Sequence, residues 1–505
     1  MTYISFQEYP GEPVIINGFS VMFMKQAALV PLQMDDDTLK IAMADPGDFY
    51  TIDTLKLSCD LNIEVCRGRE EDILEAIERL YGTGSQSLET IIEEAGKDIY
   101  DISSEGVEDA DHLRDIASEA PIIRLVNRLI LNAVEVRASD IHFEPFEDEF
   151  KVRYRIDGIL HDVESPPHRL QAAIISRVKI MAKLDIAERR LPQDGRIKLR
   201  ISDKEIDFRV STLPTIFGES LVMRILDRDT LILDLEKIGF PEDILPQYTD
   251  LISQPYGMIL VTGPTGSGKT STLYTTLAKI NSQENKIITL EEPVEYQLRG
   301  VNQIQVNTKI GMTFANGLRS IVRQDPDIIL VGEIRDRETA EVAIQSALTG
   351  HLLFSTLHTN DAAGAITRLL DMGVENFLLG STLLGVLAQR LVRVICPHCK
   401  RRVEPEEKLL KSMNLSPDEV NGIEFFAGEG CEECRHTGFR GRIAIFEYLP
   451  VDDDIRREIT KESGAEKIKD VALRKGILTL RQDGWNKVKK GITTISEVLR
   501  VTLEK

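Results

Sequence analysis

Alternation of apolar and polar side chains marks the first element of the chain. Between residues 38 and 43 every second residue is apolar, which predicts a half-buried strand, and turn residues follow it. Between residues 70 and 81 apolar residues recur at helical spacing, which predicts a helix with one apolar face. We therefore expect a small α+β domain over residues 1–85. The positions that carry these patterns are Leu39, Ile41 and Met43 in the strand and Ile73, Leu74, Ile77 and Leu80 in the helix.

A second domain is predicted over residues 119–230. Pro121 stands in the first turn of a helix whose apolar side chains fall on one side. Strand-like alternation follows, and Asp157-Gly158 is typical of a hairpin turn. The apolar positions are Ile122, Val126, Leu129, Ile130 and Ala133 in the helix and Phe150, Val152 and Tyr154 in the strand.

A further hairpin is predicted later in this α+β domain. Two alternating segments, residues 197–201 and 206–210, flank a turn that we expect at Ser202–Glu205. The polar positions of both strands then share one face. On that face Arg196 and Arg209 are expected to be diagonal neighbours.

From residue 231 onward, apolar runs that end in glycine-rich or acidic turns alternate with helical patterns. This alternation is typical of a parallel β-sheet with helices on its faces. We therefore predict an α/β domain over residues 231–505. The candidate chemistry of the chain falls within it.

The segment between the first two domains, residues 86–118, is strongly acidic. Between Glu89 and Glu119 eleven acidic residues accompany two basic ones, and few large apolar side chains occur. Such a segment buries too little surface to offset the entropy of ordering its chain. We interpret it as a mobile acidic linker, although residues 88–95 could instead form a solvated helix.

Net charge and cysteine usage narrow the class of protein. The chain has 505 residues and a formal net charge of −21, which disfavours nucleic acid as a partner. Its longest uncharged stretches are broken by glycine, proline or polar residues, so we expect no membrane-spanning helix.

No secretory leader opens the sequence, and we expect a cytoplasmic protein. Six cysteines in such a chain favour metal ligands or buried thiols over disulfides.

A phosphate-binding loop is predicted near the start of the α/β domain. The apolar run Met258–Val261 leads into G-x-x-x-x-G-K-T, and the helical pattern of Ser271–Ile280 follows. Glycines let consecutive amides turn inward around an anion, and the helix N-terminus adds positive charge. Lys269 would reach the β- and γ-phosphates of ATP, and the Thr270 hydroxyl would ligate Mg²⁺. The alternative is a glycine-rich turn that binds nothing. The loop residues are Gly263, Pro264, Thr265, Gly266, Ser267, Gly268, Lys269 and Thr270.

Acidic residues follow two other predicted buried strands of this domain. Glu333 comes after Ile328–Val331, at the sheet edge where ligands of α/β domains bind, and it would orient or deprotonate the attacking water. Glu291, Glu292 and Glu295 follow the other strand. These carboxylates would repel one another unless a metal or an arginine neutralised them. The alternative is a solvated acidic turn.

Two histidines flank a third strand-like segment. His358 follows it and could hydrogen-bond the γ-phosphate, while His351 precedes it and is the weaker candidate. The alternative for both is a structural histidine.

Four of the six cysteines form two C-x-x-C pairs within residues 396–434. They are Cys396, Cys399, Cys431 and Cys434. Four thiolates suit tetrahedral Zn²⁺ and leave no open coordination position, so we predict a structural zinc site. A redox pair or inert thiols are the alternatives.

Together these motifs resemble the secretion ATPases of the type II/type IV pilus group, most closely its type II secretion branch. The resemblance covers residue 120 to the C-terminus and, more weakly, residues 1–85. Glu292 departs from it, because this family usually has Asp at that position of its aspartate box. The segments that carry the resemblance are the phosphate loop, the aspartate box Glu291–Glu295, Arg323–Ile328 with Gly332–Asp336, the histidine box Thr349–Asn360, the four cysteines, Ala138–His142 and Leu191–Arg196.

The resemblance implies an architecture and a set of partners. It implies a RecA-like P-loop ATPase domain with a zinc-binding insert, preceded by a PAS-like α+β middle domain and a small N-terminal α+β domain. It implies a homo-hexamer in which the middle domains cover the nucleotide and Arg196 and Arg209 contact phosphate. Residues 1–85 would dock on the cytoplasmic domain of an inner-membrane type II secretion protein, and an inner-membrane platform protein would be a further partner. The chain would then be cytoplasmic and peripherally associated with the inner membrane.

These expectations lead to one function and three alternatives. We expect an ATPase that hydrolyses ATP to power protein export through a type II secretion system by assembling a pseudopilus. Leu383–Leu391 and the short N-terminal region favour this over a type IV pilus extension ATPase, which shares every catalytic motif. A nucleic-acid translocase is disfavoured by the acidic net charge. A nucleotide sensor that does not hydrolyse is disfavoured by Glu333 and its neighbouring carboxylates.

Overall fold

The computed structural model of the chain falls into two compact units, Met1–Ile225 and Leu226–Lys505. None of the helices in the described part of the chain has the length and apolarity needed to span a bilayer. The described residues are 3–4, 9–10, 14, 23–24, 27–35, 38–48, 51–52, 55–56, 62–81, 110–117, 119–163, 165–201, 204–227, 234–413, 415 and 417–503.

The N-terminal part of the first unit is a small α+β core. Its three strands pair in the order β1-β2-β3, with β1 antiparallel and β3 parallel to β2. Ile73 and Ile77 of helix α1 pack with Leu39 and Ile41 of β2 in one core. The predicted strand and helix are therefore confirmed. The elements are β1 (Leu29–Asp35), β2 (Thr38–Met43), β3 (Asn62–Arg67) and α1 (Glu70–Tyr81).

A helix lies where we expected the end of the acidic linker. Helix α2 (Ala110–Ala117) buries Leu113 and Ile116. Apolar residues three and four positions apart give this helix one apolar face despite the acidic residues around them. The linker prediction therefore does not hold for residues 110–117, and residues 86–109 lie outside the described residues.

The rest of the first unit is a six-stranded sheet with two helices. The strands pair in the order β6-β5-β4-β9-β8-β7. Pro121 stands in the first turn of α3, as predicted. Asp157 and Gly158 have φ of 48° and 87° and form the predicted turn between β5 and β6. The elements are α3 (Ala120–Glu135), β4 (Asp140–Pro145), β5 (Phe150–Ile156), β6 (Ile159–Asp162), α4 (Gln171–Ala182), β7 (Gln193–Ile201), β8 (Lys204–Thr215) and β9 (Gly218–Asp227).

The register of the β7–β8 hairpin differs from our expectation. Ile201 pairs with Lys204, so the connection is two residues shorter than the predicted turn at Ser202–Glu205. Arg196 consequently lies directly opposite Arg209 rather than diagonal to it. Like charges directly opposite each other destabilise a strand pair. This pair of arginines is thus arranged in a way that an anion would stabilise.

The second unit is built on a seven-stranded sheet with the order β12-β11-β13-β14-β10-β15-β18. The first six strands run parallel and β18 is antiparallel to β15. Alternate residues of β10 enter different cores: Met258 and Leu260 face one, and Ile259 and Val261 face the other. Both faces of the sheet are therefore covered, which confirms the predicted α/β arrangement. The strands are β10 (Gly257–Thr262), β11 (Ile287–Glu291), β12 (Asn302–Gln305), β13 (Ile328–Val331), β14 (Leu352–Leu357), β15 (Leu383–Ile395) and β18 (Phe439–Pro450).

Helices surround this sheet, and a small insert separates β15 from β18. In the insert, β16 (Lys400–Val403) and β17 (Phe425–Gly428) pair antiparallel. The helices of the unit are α5 (Leu235–Ile238), α6 (Ile244–Ile252), α7 (Lys269–Ile280), α8 (Phe314–Ile321), α9 (Arg337–Leu348), α10 (Ala362–Asp371), α11 (Asn376–Thr382), α12 (Glu407–Ser412), α13 (Pro417–Val420), α14 (Asp453–Thr460), α15 (Ala465–Arg474), α16 (Leu480–Lys489) and α17 (Ile495–Thr502).

The last helix is held on β15 by a buried carboxylate. Glu497 accepts hydrogen bonds from the backbone N–H of Arg393 at 3.1 Å and from its guanidinium at 2.7 Å, and Arg500 donates two more. Burial raises the pKa of Glu497, but the hydrogen bonds from Arg500 and Arg393 outweigh it and lower the pKa to about 2. Glu497 is therefore ionised at neutral pH and fixes α17 in place.

Candidate active site

The phosphate loop connects β10 to α7 in a conformation that needs glycine. Gly263, Gly266 and Gly268 have φ of 152°, 78° and 89°, which side chains with a Cβ rarely adopt. A Cβ on Gly263 would also come within 2.5 Å of the Gln389 carbonyl oxygen on β15. The loop is thus pressed against the neighbouring strand and leaves its amides to face an anion.

Two polar groups of the loop are suited to phosphate. The Lys269 ammonium donates to the carbonyl oxygens of Gly263 at 2.7 Å and Pro264 at 3.1 Å. Burial lowers its pKa to about 8, an effect that Glu333 opposes and Arg390 assists. The Ser267 hydroxyl is buried and has no hydrogen-bond partner among the described residues. A bound phosphate oxygen would satisfy such a hydroxyl.

Thr270 lies exposed in the first turn of α7. A hydroxyl at this position of a phosphate loop is suited to Mg²⁺, as predicted. Its contact with the ion stays a prediction.

Glu333 follows β13 at the carboxyl edge of the sheet, and both of its oxygens are contacted. Arg335 contacts one oxygen, and the His358 Nε2 lies 3.3 Å from the other. The Glu333 side chain is only 16% exposed, whereas that of His358 is 50% exposed. The structure therefore brings together Lys269, Glu333 and His358, three of the predicted site residues, at one edge of the sheet.

Arg335 also contacts Glu292, the residue that departs from the family pattern. Its guanidinium lies 2.8 Å from the Glu292 carboxylate while it contacts Glu333. The two carboxylates would repel each other, and the guanidinium between them compensates that repulsion. Arg335 is therefore the arginine that the sequence analysis required to neutralise the clustered carboxylates.

Glu291 has surroundings quite different from those of Glu333. It is 4% exposed, and its oxygens accept hydrogen bonds from Tyr274, from Thr289 at 2.5 Å and from Gln303 at 3.2 Å. Burial and the Glu291 carboxylate raise the pKa of Tyr274, so its hydroxyl stays protonated and donates. The same hydroxyl oxygen accepts from the Glu295 amide at 3.3 Å. Tyr274 thus connects α7 to the acidic turn, which sequence reasoning missed.

The two histidines lie at opposite ends of β14. His351 precedes the strand, and its Nδ1 lies 2.8 Å from the Ser346 carbonyl oxygen. Six extended residues span about 20 Å, so His351 is far from the carboxyl edge that carries the phosphate loop. The suggestion that His351 reaches the γ-phosphate is therefore wrong, because the parallel strands place it at the amino edge.

Arg390 is a second residue that sequence reasoning missed. It is 8% exposed on β15 and donates to Asn360, two residues after His358. The signal was present, since an arginine inside the apolar run of β15 is unusual for a buried strand. Arg196 and Arg209 belong to the other unit, and their contact with phosphate stays a prediction.

The four cysteines converge at the base of the insert. Their sulfur atoms all lie within 4.8 Å of one another, and the pairs Cys396–Cys431 and Cys399–Cys434 are 3.9 and 3.7 Å apart. Four sulfurs at about 2.3 Å from a tetrahedral Zn²⁺ would be roughly 3.8 Å apart. Backbone amides of Gly430 and Gly438 point at Cys399 and Cys434 from 3.3 Å. The donor set and its spacing therefore fit Zn²⁺.

Comparison with known proteins decides the family. The model of the type II/IV secretion system protein family matches residues 115–500, and that of the MshEN domain matches residues 1–87. The chain belongs to the type II/IV secretion system protein family. The predicted family and the predicted ATPase class are thereby confirmed.

Curated relatives match nearly the whole chain. Type II secretion system protein E of Xanthomonas campestris pv. campestris is 53% identical over 96% of this chain and 85% of its own length. The type IV pilus assembly ATPase PilB of Myxococcus xanthus is 46% identical over 98% of this chain and 88% of its own length.

Solved structures confirm the predicted RecA-like fold. The ATPase DotB of Yersinia pseudotuberculosis matches 76% of this chain and 95% of its own with a TM-score of 0.57 and 19% identity. The pilus retraction motor PilT with bound ADP matches 74% of this chain and 96% of its own with a TM-score of 0.50 and 26% identity.

The contact between Tyr274 and Glu291 leads to a testable prediction. Tyr274→Phe leaves the buried Glu291 without one donor, which costs on the order of 1–3 kcal/mol. We expect a lower melting temperature together with a lower kcat and a nearly unchanged KM for ATP, because the acidic turn loses its link to α7.

Tyr248→Phe is the matched control. Tyr248 of α6 is also fully buried, and its hydroxyl lies 2.9 Å from that of Thr276 on α7, the helix that carries Tyr274. It should lower the melting temperature but preserve kcat. An equal loss of kcat in both variants would contradict the link to the turn.

Proposed function

We propose that this chain hydrolyses ATP to power protein export through a type II secretion system. The observation that carries the proposal is the meeting of the phosphate loop, Glu333 and His358 at one edge of a RecA-like sheet. The 53% identity to a type II secretion system protein E over 96% of this chain supports the assignment of the system.

The residues divide the reaction between them. The loop amides, Lys269 and Ser267 bind the phosphates of ATP. Thr270 would hold Mg²⁺, which would supply positive charge to offset that of the phosphates. Glu333 orients the water that attacks the γ-phosphorus and accepts its proton, so that ADP and phosphate leave. His358 contacts the γ-phosphate while it stays near Glu333.

Arg335 has to release Glu333 before the carboxylate can accept a proton. Glu292 offers the guanidinium a second acceptor at 2.8 Å, so the arginine can move without losing every partner. Glu291 and Glu295 act indirectly and do not contact the attacking water. Tyr274 bonds the Glu291 carboxylate and the Glu295 amide and so fixes the acidic turn that contains both residues.

In this proposal, assembly of the chain into a homo-hexamer and onto membrane partners brings in the remaining functional residues. Arg196 and Arg209 stabilise charge on the transferred phosphoryl group within a homo-hexamer, which their direct opposition across β7 and β8 supports. Residues 1–87, the MshEN-like part, dock on the cytoplasmic domain of an inner-membrane protein of the system, and a platform protein in that membrane receives the motion. The chain then works in the cytoplasm at the inner-membrane surface.

Assembly of type IV pili is the second candidate function. The relative from Myxococcus xanthus, named as a type IV pilus assembly ATPase, is 46% identical over nearly the whole chain. The catalytic groups do not separate the two functions.

The catalytic roles can be tested with purified chain and radiolabelled ATP. Lys269→Ala should weaken ATP binding by about tenfold or more, since hydrogen bonds to a charged group contribute roughly 1.5–3 kcal/mol. Glu333→Gln should bind ATP as the wild type does and lower kcat by roughly 10²–10⁴-fold. Wild-type turnover in Glu333→Gln would remove this residue from its role.

The system can be tested in the native host. Replacing the gene by one that encodes Glu333→Gln should stop export of secreted proteins and leave surface pili intact, because the chain would occupy the export machinery without turnover. Export is measured in the culture medium and pili by electron microscopy. Lost pili with normal export would instead support the pilus function.

We also propose that Cys396, Cys399, Cys431 and Cys434 hold a structural Zn²⁺. Cys431→Ser should reduce zinc from about one ion per chain to a trace by elemental analysis. The single tryptophan, Trp485, packs 6.0 Å from Phe425 in the insert, so its fluorescence should change at the same time. Cys66→Ser, in the N-terminal core, is the matched control and should change neither. Unchanged zinc in Cys431→Ser would reject the site.

A further inference from the structure

Arg390 is a buried cation that lies next to the phosphate loop. Two residues earlier on β15, Ala388 pairs with Thr262, the last residue of β10. The strand therefore places Arg390 just beyond the point where β10 becomes the loop. The residue is 8% exposed.

The hydrogen bonds of Arg390 go to neutral acceptors. One terminal nitrogen donates to the Asn360 backbone oxygen at 3.0 Å and to its side-chain oxygen at 3.1 Å, and the other donates to the Gln389 carbonyl at 3.2 Å. Within the part of the chain that the structure describes, Arg390 makes no ion pair within 4.0 Å. Leaving a buried charge without an ionic partner is costly.

The nearest carboxylates are already used. Asp361 accepts from the Gly364 amide at 2.8 Å, and Glu447 accepts from the Ala362 amide at 2.9 Å. Both favour the charged form of Arg390 from a distance, but burial outweighs them and lowers its pKa. The guanidinium therefore still lacks a close negative charge.

Arg390 and Lys269 converge on the same turn of the loop. A Cβ on Gly263 would lie 3.2 Å from an Arg390 nitrogen, and the Gly263 carbonyl oxygen accepts from Lys269 at 2.7 Å. Two cations beside one anion-binding turn repel each other, and bound phosphate would compensate both. The negative charge that would compensate Arg390 and Lys269 is therefore one that the phosphates of a nucleotide would supply.

The same guanidinium holds the segment that contains His358. We define the histidine loop as residues 358–361. Arg390 fixes it at Asn360, and Thr359 bonds the Thr262 hydroxyl at 2.7 Å. His358 in turn lies 3.3 Å from Glu333. Arg390 is therefore connected to Glu333 by its contact with Asn360, by the backbone from Asn360 to His358 and by the contact of His358 with Glu333.

We propose that Arg390 is a positioning residue of this ATPase. One of its terminal nitrogens bonds both oxygens of Asn360 and so sets the histidine loop against the phosphate loop. Its buried positive charge is compensated by the phosphates of the bound nucleotide. The inference rests on the proposed ATP hydrolysis, and it adds to it a residue outside the phosphate loop, the acidic turns and His358.

Charge and geometry can be separated with two substitutions at Arg390. Arg390→Gln removes the charge, so we expect ATP binding to weaken at least about fivefold and kcat to fall at least about tenfold. Arg390→Lys keeps the charge but loses the planar guanidinium, whose two terminal nitrogens bond Asn360 and the Gln389 carbonyl at once. It should restore most of the ATP binding but little of kcat. Binding is measured by calorimetry with Mg²⁺ and ATP, and kcat by phosphate release.

Arg393→Gln is the matched control. Arg393 lies on the same strand, is also largely buried and contacts Glu497 rather than the histidine loop. It should lower the melting temperature while the folded chain retains the kcat and ATP affinity of the wild type. A loss of kcat in Arg393→Gln as large as that in Arg390→Gln would overturn the proposal, since general destabilisation would then explain both.

A double-mutant cycle tests the route through His358. If Arg390 acts through the histidine loop, Arg390→Gln should lower kcat less than about threefold in the His358→Ala background. Full and independent losses would overturn the proposal, as would wild-type kcat in Arg390→Gln alone. If Arg390→Gln does not fold, Asn360→Ala replaces it and should also lower kcat. The wild-type chain runs in each assay, so absent turnover there would reject the proposed function and not this inference.

Discussion

The close approach of β15 to the turn after β10 is the constraint on which the second unit depends. Gly263 has no room for a side chain, because the Gln389 carbonyl lies where a Cβ would extend. This approach closes one side of the phosphate loop, so its amides can face only the other side. This close approach is possible only because β15 lies directly beside β10 in the sheet. The helical crossovers between the parallel strands set that strand order. Fold and site are therefore determined by the same contact.

Local motifs made much of the site predictable. The phosphate loop and the paired cysteines are short segments whose spacing already contains the chemistry, and the structure places both as their spacing requires. The sequence assigned the attacking water to Glu333, but it did not contain the surroundings of Glu333 or Glu291, since each simply follows a buried strand. What separates them is their surroundings: Glu291 lies among Tyr274, Thr289 and Gln303, while Glu333 meets Arg335 and His358. Such surroundings combine residues from distant segments, which no local pattern contains.

The errors have equally specific causes. The connection between β7 and β8 is two residues shorter than expected because Lys204 and Glu205 belong to β8, and the pairing of every residue shifts with it. His351 was already the weaker candidate in the sequence, and the direction of β14 places it at the opposite edge of the sheet from His358. Helix α2 was missed because acidic composition outweighed a short apolar stripe. Each error concerns either how separate segments pair or a weak local pattern. The longer patterns, such as the alternation of apolar runs and helices after residue 231, predicted the fold correctly.

Strand β15 also has a mechanical consequence. It is thirteen residues long and touches the phosphate loop near Arg390, and six residues later, about 20 Å away, it leads into Cys396 of the tetracysteine insert. Over this stretch it is flanked by the antiparallel β18 and anchored through Arg393 to the C-terminal helix. An extended backbone braced in this way is nearly incompressible along its axis. The phosphate loop and the tetracysteine insert are therefore joined by one short, braced strand, and a change in the position of either would bear directly on the other.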